Sequence, residues 1–108
     1  MSKVSYTAPA SGSLRLGVWL RQLREERELP LRAVAEESEM DLAHLHKIEQ
    51  GQRLPTEEQM TRLARFFRLN QTGAQARRIA EEFRRYYAGN PAVPEALQIL
   101  NDLPWKTK

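Results

Sequence analysis

The residues that decide the fold are 31–48, LRAVAEESEMDLAHLHKI. Their first half carries apolar residues 34–35, which form the inner face of a short helix. Asp41 is a good N-cap for a second helix, because its carboxylate can accept hydrogen bonds from the unpaired amides of the first turn. Met40 and Leu45 have the spacing of a hydrophobic staple, which fixes the angle at which the chain enters that helix. The stretch therefore predicts two short helices joined by a turn.

The preceding residues predict a first helix and a boundary with the second. Leu16, Leu20 and Leu23 recur at three- and four-residue spacing, so they form the inner face of a helix that runs from a cap at Ser13 to about residue 28. Pro30 fits the first position of the next helix, where the missing amide has no intrahelical partner to lose.

The following residues predict three more helices. The helix after Asp41 spans residues 42–50 and stops at Gly51, and capping boxes at Thr56 and Thr72 open a fourth and a fifth helix. Gly89 ends the fifth helix and Pro94 starts a short last one. No strand pattern is found, so the chain is predicted to be all-α: a five-helix bundle with a short C-terminal helical extension.

Three segments follow from this pattern. Residues 1–12 are small and polar and predict a flexible N-terminal arm. Residues 13–71 form the predicted functional domain. Residues 72–108 form the extension, whose apolar side chains could pack on the bundle or make a dimer interface: Ile79, Phe83, Tyr87, Leu97, Leu100, Leu103 and Trp105.

Composition narrows the functional classes. The chain has 108 residues, a net charge of +3 and no cysteine, so disulfides and thiolate metal sites are excluded and a reducing cytoplasm is expected. No apolar run is long enough to span a bilayer, and no secretion signal is found. We expect no cofactor, and His44 and His46 are a poor metal pair because they point in different directions on a helix. No nucleophile–base pair or phosphate loop indicates an enzyme.

Two short helices joined by a turn inside a helical bundle form a helix-turn-helix, whose second helix can enter the DNA major groove. The chain resembles the XRE family, which includes the lambda repressor and Cro proteins, over about residues 16–69. The resemblance rests on residues 20–27 (LRQLREER), 34–35 (VA), 45–51 (LHKIEQG) and 63–64 (LA) with Pro55. It implies a lambda-repressor-like fold and binding to double-stranded DNA.

The resemblance also implies which residues act. Arg24 and Glu49 match a family ion pair that ties the first helix to the end of the third. The positions that face bases are Leu42, Ala43, His46 and Lys47, and the positions that contact phosphates are Arg32, Gln50, Gln52 and Arg53. Lys47 can donate to guanine O6 and N7 and His46 to a purine N7, whereas an apolar side chain can contact only a thymine methyl group.

Three departures from the family weaken the polar readout or strain the turn. Glu39 stands where the family often has Gly, so a left-handed backbone there would carry strain. Leu31 replaces a glutamine at the start of the second helix. Leu42 and Ala43 replace polar base-reading residues.

Other interpretations stay open. Leu42 can equally be a partly buried residue at the helix start, and His44 is expected to be a solvated surface residue. The arginines at 77–78 and 84–85 form a solvated outer face or, less simply, contact phosphates. Four acidic residues crowd the turn and are unfavourable beside phosphates unless they point away from the duplex or bind a protein: Glu36, Glu37, Glu39 and Asp41.

The predicted function is a sequence-specific transcriptional regulator, specifically a repressor, that reads the major groove with helix 42–50. DNA readers of this type usually act as two-fold dimers, so a homodimer is expected by analogy. A close variant is an antitoxin or a restriction–modification controller, which has the same fold and a different partner. The alternative from another class is a protein–protein adaptor that keeps the bundle and binds DNA weakly or not at all.

Overall fold

The computed structural model describes residues 14–104, in which six α-helices and no strands are found. The all-α prediction is confirmed. The helices are α1 (Leu16–Glu26), α2 (Leu31–Glu37), α3 (Leu42–Glu49), α4 (Glu57–Phe67), α5 (Gln71–Tyr87) and α6 (Val93–Asp102). The predictions for the N-terminal arm, for the Ser13 cap and for Trp105 lie outside the described residues.

Helices α1, α2, α3, α4 and α5 share one apolar core. Leu20, Leu45, Ile48, Met60 and Leu63 are each at most 2% exposed, and they come from α1, α3 and α4. Full burial of a side chain of this size contributes about 1.5–3 kcal/mol. The recognition-helix candidate α3 therefore rests on the centre of the core, which fixes the direction of its outer face.

The predicted caps of α3 and α4 form. The Asp41 carboxylate accepts a hydrogen bond from the His44 backbone N–H at 3.0 Å. Thr56 and Gln59 make a complete capping box: the Gln59 N–H donates to Thr56 Oγ1 at 3.0 Å, and the Thr56 N–H donates to Gln59 Oε1 at 2.9 Å. Each side-chain cap of this kind contributes about 1 kcal/mol.

Four successive helices, α1 to α4, end in a Schellman motif, with a left-handed residue after the helix. These residues are Glu28 (φ 54°), Glu39 (φ 55°), Gly51 (φ 79°) and Arg68 (φ 58°). In the turn between α2 and α3, Glu39 N–H donates to the Glu36 carbonyl at 3.2 Å and Met40 N–H donates to the Ala35 carbonyl at 2.8 Å. The expected strain at Glu39 is therefore present, because a non-glycine residue adopts a positive φ there.

Three helix starts and one helix end differ from the predictions. Pro30 is the N-cap of α2 rather than its first residue, and α1 ends at Glu26 because the Schellman motif at Glu28 terminates it. The last helix begins at Val93, before the proline.

The start of α5 is the clearest correction. Its N-cap is Asn70, whose Oδ1 accepts the Gly73 N–H at 2.7 Å, and not Thr72. Gln75, which a box at Thr72 would need for the return hydrogen bond, instead donates to the Glu57 carbonyl at 3.1 Å and to Thr61 Oγ1 at 3.0 Å. A better cap two residues earlier and a tertiary use for Gln75 together displace the predicted box.

The two C-terminal helices pack very differently. Helix α5 lies against α4 and α1 and buries Ala74 and Glu81. Helix α6 buries no residue. The described part of the segment 72–108 thus contains a helix that is part of the packed bundle and a helix that is attached only at the margin of the bundle.

Candidate nucleic-acid interface

Helix α3 divides into a buried face and an exposed face. Leu45, Ile48 and Glu49 are buried, whereas Ala43, His46, Lys47 and the C-cap residue Gln50 are exposed. The spacing of three and four residues produces this separation, because such residues lie on one side of a helix. Three of the four predicted base-facing residues therefore share one outward side of α3.

The start of α2 adds a cation beside that face. A shallow open groove between α2 and α3 is lined by Leu31, Arg32, Leu42, Ala43 and His46. Arg32 is exposed, so its guanidinium is free to reach out of the groove. Leu42 is half-buried and packs against the core together with Leu31, so its position agrees with the partly buried interpretation while one side still lines the groove.

The loop after α3 carries the other predicted phosphate contacts. Gln50, Gln52 and Arg53 are exposed, and Gln52 Nε2 donates to Gln50 Oε1 at 3.2 Å. The loop follows α3 directly, since Gly51 (φ 79°) turns the chain immediately after Gln50. The predicted phosphate-facing residues of the loop are therefore exposed and come directly after the exposed residues of α3 in the chain.

Arginines of α5 hold that loop. Arg85 donates to the Gly51 carbonyl at 2.9 Å and to the Gln52 carbonyl at 3.3 Å, and Arg78 donates to the Pro55 carbonyl at 2.9 Å. The interpretation of this arginine run as a solvated outer face is wrong for Arg78, which is half-buried, whereas Arg85 is exposed as expected and contacts the loop as well. They lie seven positions apart, about two helical turns, and so reach the same loop from one side of α5.

Arg77 of the same run also has a specific contact. The Arg77 guanidinium lies over the Trp19 ring, 4.1 Å from its centroid, as a cation–π contact between α5 and α1. Residues so far apart in sequence give no periodic signal, so these contacts could not be predicted from spacing.

Arg24 and Glu49 anchor α3 to α1. Arg24 Nε donates to Glu49 Oε2 at 2.8 Å and Arg24 Nη2 donates to Glu49 Oε1 at 3.0 Å, while Nη1 donates to the Leu29 carbonyl at 2.9 Å. Both side chains are largely buried, at 15% and 6% exposed. The hydrogen bond to Glu49 raises the pKa of Arg24. The bidentate pair fixes the end of α3 next to the loop.

Gly17 permits the close contact between these two helices. A Cβ atom at this position would lie 2.3 Å from the Ile48 carbonyl oxygen and 2.6 Å from the Glu49 carbonyl oxygen. Only a residue without Cβ lets α1 approach the backbone of α3 so closely. This role of Gly17 was not predicted from the sequence, although a glycine inside an amphipathic helix pattern could have indicated it.

The turn between the two helices is held from α4. Arg62 Nε donates to the Ser38 carbonyl at 2.8 Å, and Ser38 is 1% exposed. His44 is half-buried rather than solvated, because its Nε2 lies 3.2 Å from Oε1 of Gln59 in the α4 capping box. The prediction for His44 is therefore wrong. The acidic residues of the turn, Glu36, Glu37, Glu39 and Asp41, are all exposed.

A second ion pair joins the start of α1 to α5. Arg15 Nε donates to both carboxylate oxygens of Glu81, at 3.1 and 3.0 Å, and Arg15 Nη2 contacts the same carboxylate. The Leu16 backbone N–H donates to Glu81 Oε1 at 3.2 Å, so the carboxylate also caps α1. Because of the hydrogen bond from Arg15, the pKa of Glu81 is lowered although the side chain is buried.

Two short helices are joined by a tight turn, and the second rests on the core and exposes His46 beside Arg32. This arrangement defines a helix-turn-helix domain of the class found in DNA-binding regulators. The chain belongs to the helix-turn-helix domain family, whose sequence profile matches residues 15–79. No curated protein matches the chain, and no solved structure does.

Two further observations concern the described residues. No helix between residues 14 and 104 is long and apolar enough to cross a membrane. In the same part of the chain, no group of three or more His, Asp or Glu residues could hold a metal ion.

Proposed function

We propose that the protein is a sequence-specific transcriptional regulator of the XRE type, a cytoplasmic repressor that inserts α3 into the DNA major groove. The observation that carries the proposal is the outward side of α3, where Ala43, His46 and Lys47 are exposed together while Leu45 and Ile48 hold the helix on the core. A rigid helix with a fixed outward face is what reading of base edges requires.

The proposed roles follow from side-chain chemistry. Lys47 donates to guanine O6 and N7, and His46 donates to a purine N7. Ala43 and the exposed side of Leu42 contact thymine methyl groups. Backbone phosphates are contacted by Arg32, Gln50, Gln52 and Arg53, with Arg85 and Arg78 holding the loop that carries the last three.

In this proposal residues 13–71 are the DNA-binding domain, and residues 72–108 are an extension that packs on this domain through α5 and also serves dimerisation. With only two side chains able to hydrogen-bond to bases, specificity is modest and phosphate contacts supply most of the affinity. Binding to DNA therefore falls steeply as the salt concentration rises. Two copies bind inverted half-sites as a homodimer.

The experiment is selection of binding sites from random double-stranded DNA with the full chain. We expect an inverted repeat to be enriched. Lys47→Ala is expected to lose the preference at one base position in each half-site by roughly 10- to 100-fold, the discrimination of one good base contact. The matched control is Arg65→Ala, which removes one exposed positive charge from α4, where the side chain lines a groove against α5 rather than α3.

A second candidate function is a protein–protein adaptor or an antitoxin-type module. The exposed acidic turn favours it, because four carboxylates beside α3 repel phosphates. The same selection separates the two candidates. Failure to enrich any sequence, together with DNA binding that is equal for Lys47→Ala and the parent chain, would contradict the repressor and favour the adaptor.

A further inference from the structure

The groove between α2 and α3, which we call the α2–α3 groove, has apolar walls that come from both helices. Leu31 of α2 and Leu42 and Ala43 of α3 form these walls, and Arg32 and His46 complete the lining. The two leucines are half-buried and pack against the core, so their positions are fixed, whereas Ala43 is exposed. The groove is therefore a preformed apolar recess that includes two exposed residues of α3, Ala43 and His46.

The charge beside this recess matches duplex DNA. Arg32 lines the groove and is exposed, and within residues 14–104 it takes part in no salt bridge. The acidic residues of the turn do not line the groove. In DNA the base edges of the major groove lie between two phosphate backbones, so an apolar recess with a cation beside it can contact a base edge and a phosphate together.

The major groove offers one apolar group to such a recess, the methyl group at C5 of thymine. Cytosine has only a hydrogen atom at C5, but 5-methylcytosine carries the same methyl group in the same place. Leucine and alanine side chains have no hydrogen-bonding group, so they do not distinguish the O4 acceptor of thymine from the N4 donor of cytosine. The walls of the α2–α3 groove therefore respond to the methyl group and not to the kind of pyrimidine that carries it.

We propose that the α2–α3 groove holds the C5-methyl group of a pyrimidine base, so that methylation of cytosine at one position of each half-site strengthens binding to DNA. Leu31 and Leu42 bury the methyl group, Ala43 leaves space for it, and Arg32 contacts the phosphate beside it. The inference rests on the proposed function and deepens it. It names the methyl group as the ligand of this groove and adds Leu31 as a residue that determines specificity.

The test measures binding of the full chain to its selected DNA site by fluorescence anisotropy. At each pyrimidine of one half-site, two pairs of duplexes are compared: thymine with uracil, and 5-methylcytosine with cytosine. The members of each pair differ only in the C5-methyl group. We expect one position at which the methyl group strengthens binding roughly 4-fold in both pairs, the effect of burying one apolar carbon.

Two variants make the groove polar. Leu31→Gln on α2 keeps the length of the side chain and adds an amide, and Ala43→Asn places an amide at an exposed position of α3. The matched control is Ala80→Asn, the same change at an exposed alanine of α5 that does not line the groove. Thermal unfolding establishes that each variant is folded. We expect both groove variants to reduce the methyl effect to about 1-fold and the control to keep the parent value.

The outcomes separate this proposal from the proposed function. A chain that selects a DNA site but binds it equally with and without each methyl group overturns the groove proposal and leaves the DNA-reading role standing. Groove variants that keep the methyl effect, or a control that loses it, overturn the groove proposal too, and so does an effect of the thymine methyl group without one of 5-methylcytosine. A chain that selects no DNA sequence contradicts the proposed function and the groove proposal together.

Discussion

Helices α3 and α6 have similar lengths and both are amphipathic, but they differ in how far they pack against the other helices. Helix α3 buries Leu45 and Ile48 in the core, whereas α6 leaves Leu97 and Ile99 half exposed. Periodicity alone therefore does not tell whether an apolar face is covered. The surrounding helices decide it: α1 approaches α3 through a glycine and an ion pair, whereas residues 14–104 bury no side chain of α6.

The largest expected effect tests this difference directly. Leu45→Ala should lower the free energy of unfolding by about 3–4 kcal/mol, because it leaves a cavity in the packed core. Leu97→Ala should cost less than about 0.5 kcal/mol, since the side chain is half exposed. Urea unfolding at low protein concentration, where dimers dissociate, measures both. A similar loss for the two variants would mean that α6 packs on its own chain.

The ion pair between α1 and α3 should contribute nearly as much. Arg24→Ala leaves the buried Glu49 carboxylate without its partner and should cost about 3 kcal/mol in urea unfolding. The matched control is Arg21→Ala on the same helix, which removes an exposed i,i+4 pair with Glu25 and should cost at most about 0.5 kcal/mol. Equal losses for the two arginines would contradict the role of Arg24 as the anchor of α3.

A substitution at Gly17, where α1 closely approaches α3, should change the stability by an intermediate amount. Gly17→Ala should destabilise by about 2 kcal/mol, because the backbone of α3 must move to admit the methyl group, and this outweighs the helix-forming preference of alanine. Gly73→Ala in α5 is the control, since a Cβ atom there meets nothing closer than 3.5 Å.

The control should be neutral or stabilising by up to ~1 kcal/mol. Thermal unfolding of both variants measures the difference. A Gly17→Ala variant as stable as Gly73→Ala would mean that the α1–α3 contact is loose.

Local features of the fold were predictable from sequence. The caps at Asp41 and Thr56 and the end of α3 at Gly51 depend on residues within about four positions of each other, so spacing encodes them. The left-handed backbone at Glu39 was expected from the family resemblance and not from spacing. The outward positions of α3 follow from the same periodicity.

Contacts between distant residues were not predictable in this way. Arg15 and Glu81 are 66 positions apart, and Arg85 reaches a loop 33 and 34 positions earlier. No local sequence pattern indicates contacts between residues so far apart. The capping box expected at Thr72 failed for the same reason, because a tertiary hydrogen bond from Gln75 competed with it.

The smallest expected effect concerns the long-range pair at the start of α1. The pKa of Glu81 is lowered by the hydrogen bond from Arg15, so the folded carboxyl titrates below the unfolded one, whose pKa is about 4.3. Its stabilisation is therefore complete above that value and is lost as the pH falls through the folded pKa. Glu81→Gln should be about 1–2 kcal/mol less stable than the parent at pH 7, a value reduced because Arg15 is partly exposed.

Urea unfolding as a function of pH tests this expectation. The deficit of Glu81→Gln should shrink toward zero in acid, where the parent carboxyl is protonated too. Glu82→Gln removes the neighbouring exposed carboxylate, 3.4 Å from Arg78, and should change stability little at any pH. A deficit of Glu81→Gln that is the same at neutral and acidic pH would mean that the shape of the side chain, and not its charge, joins α5 to α1.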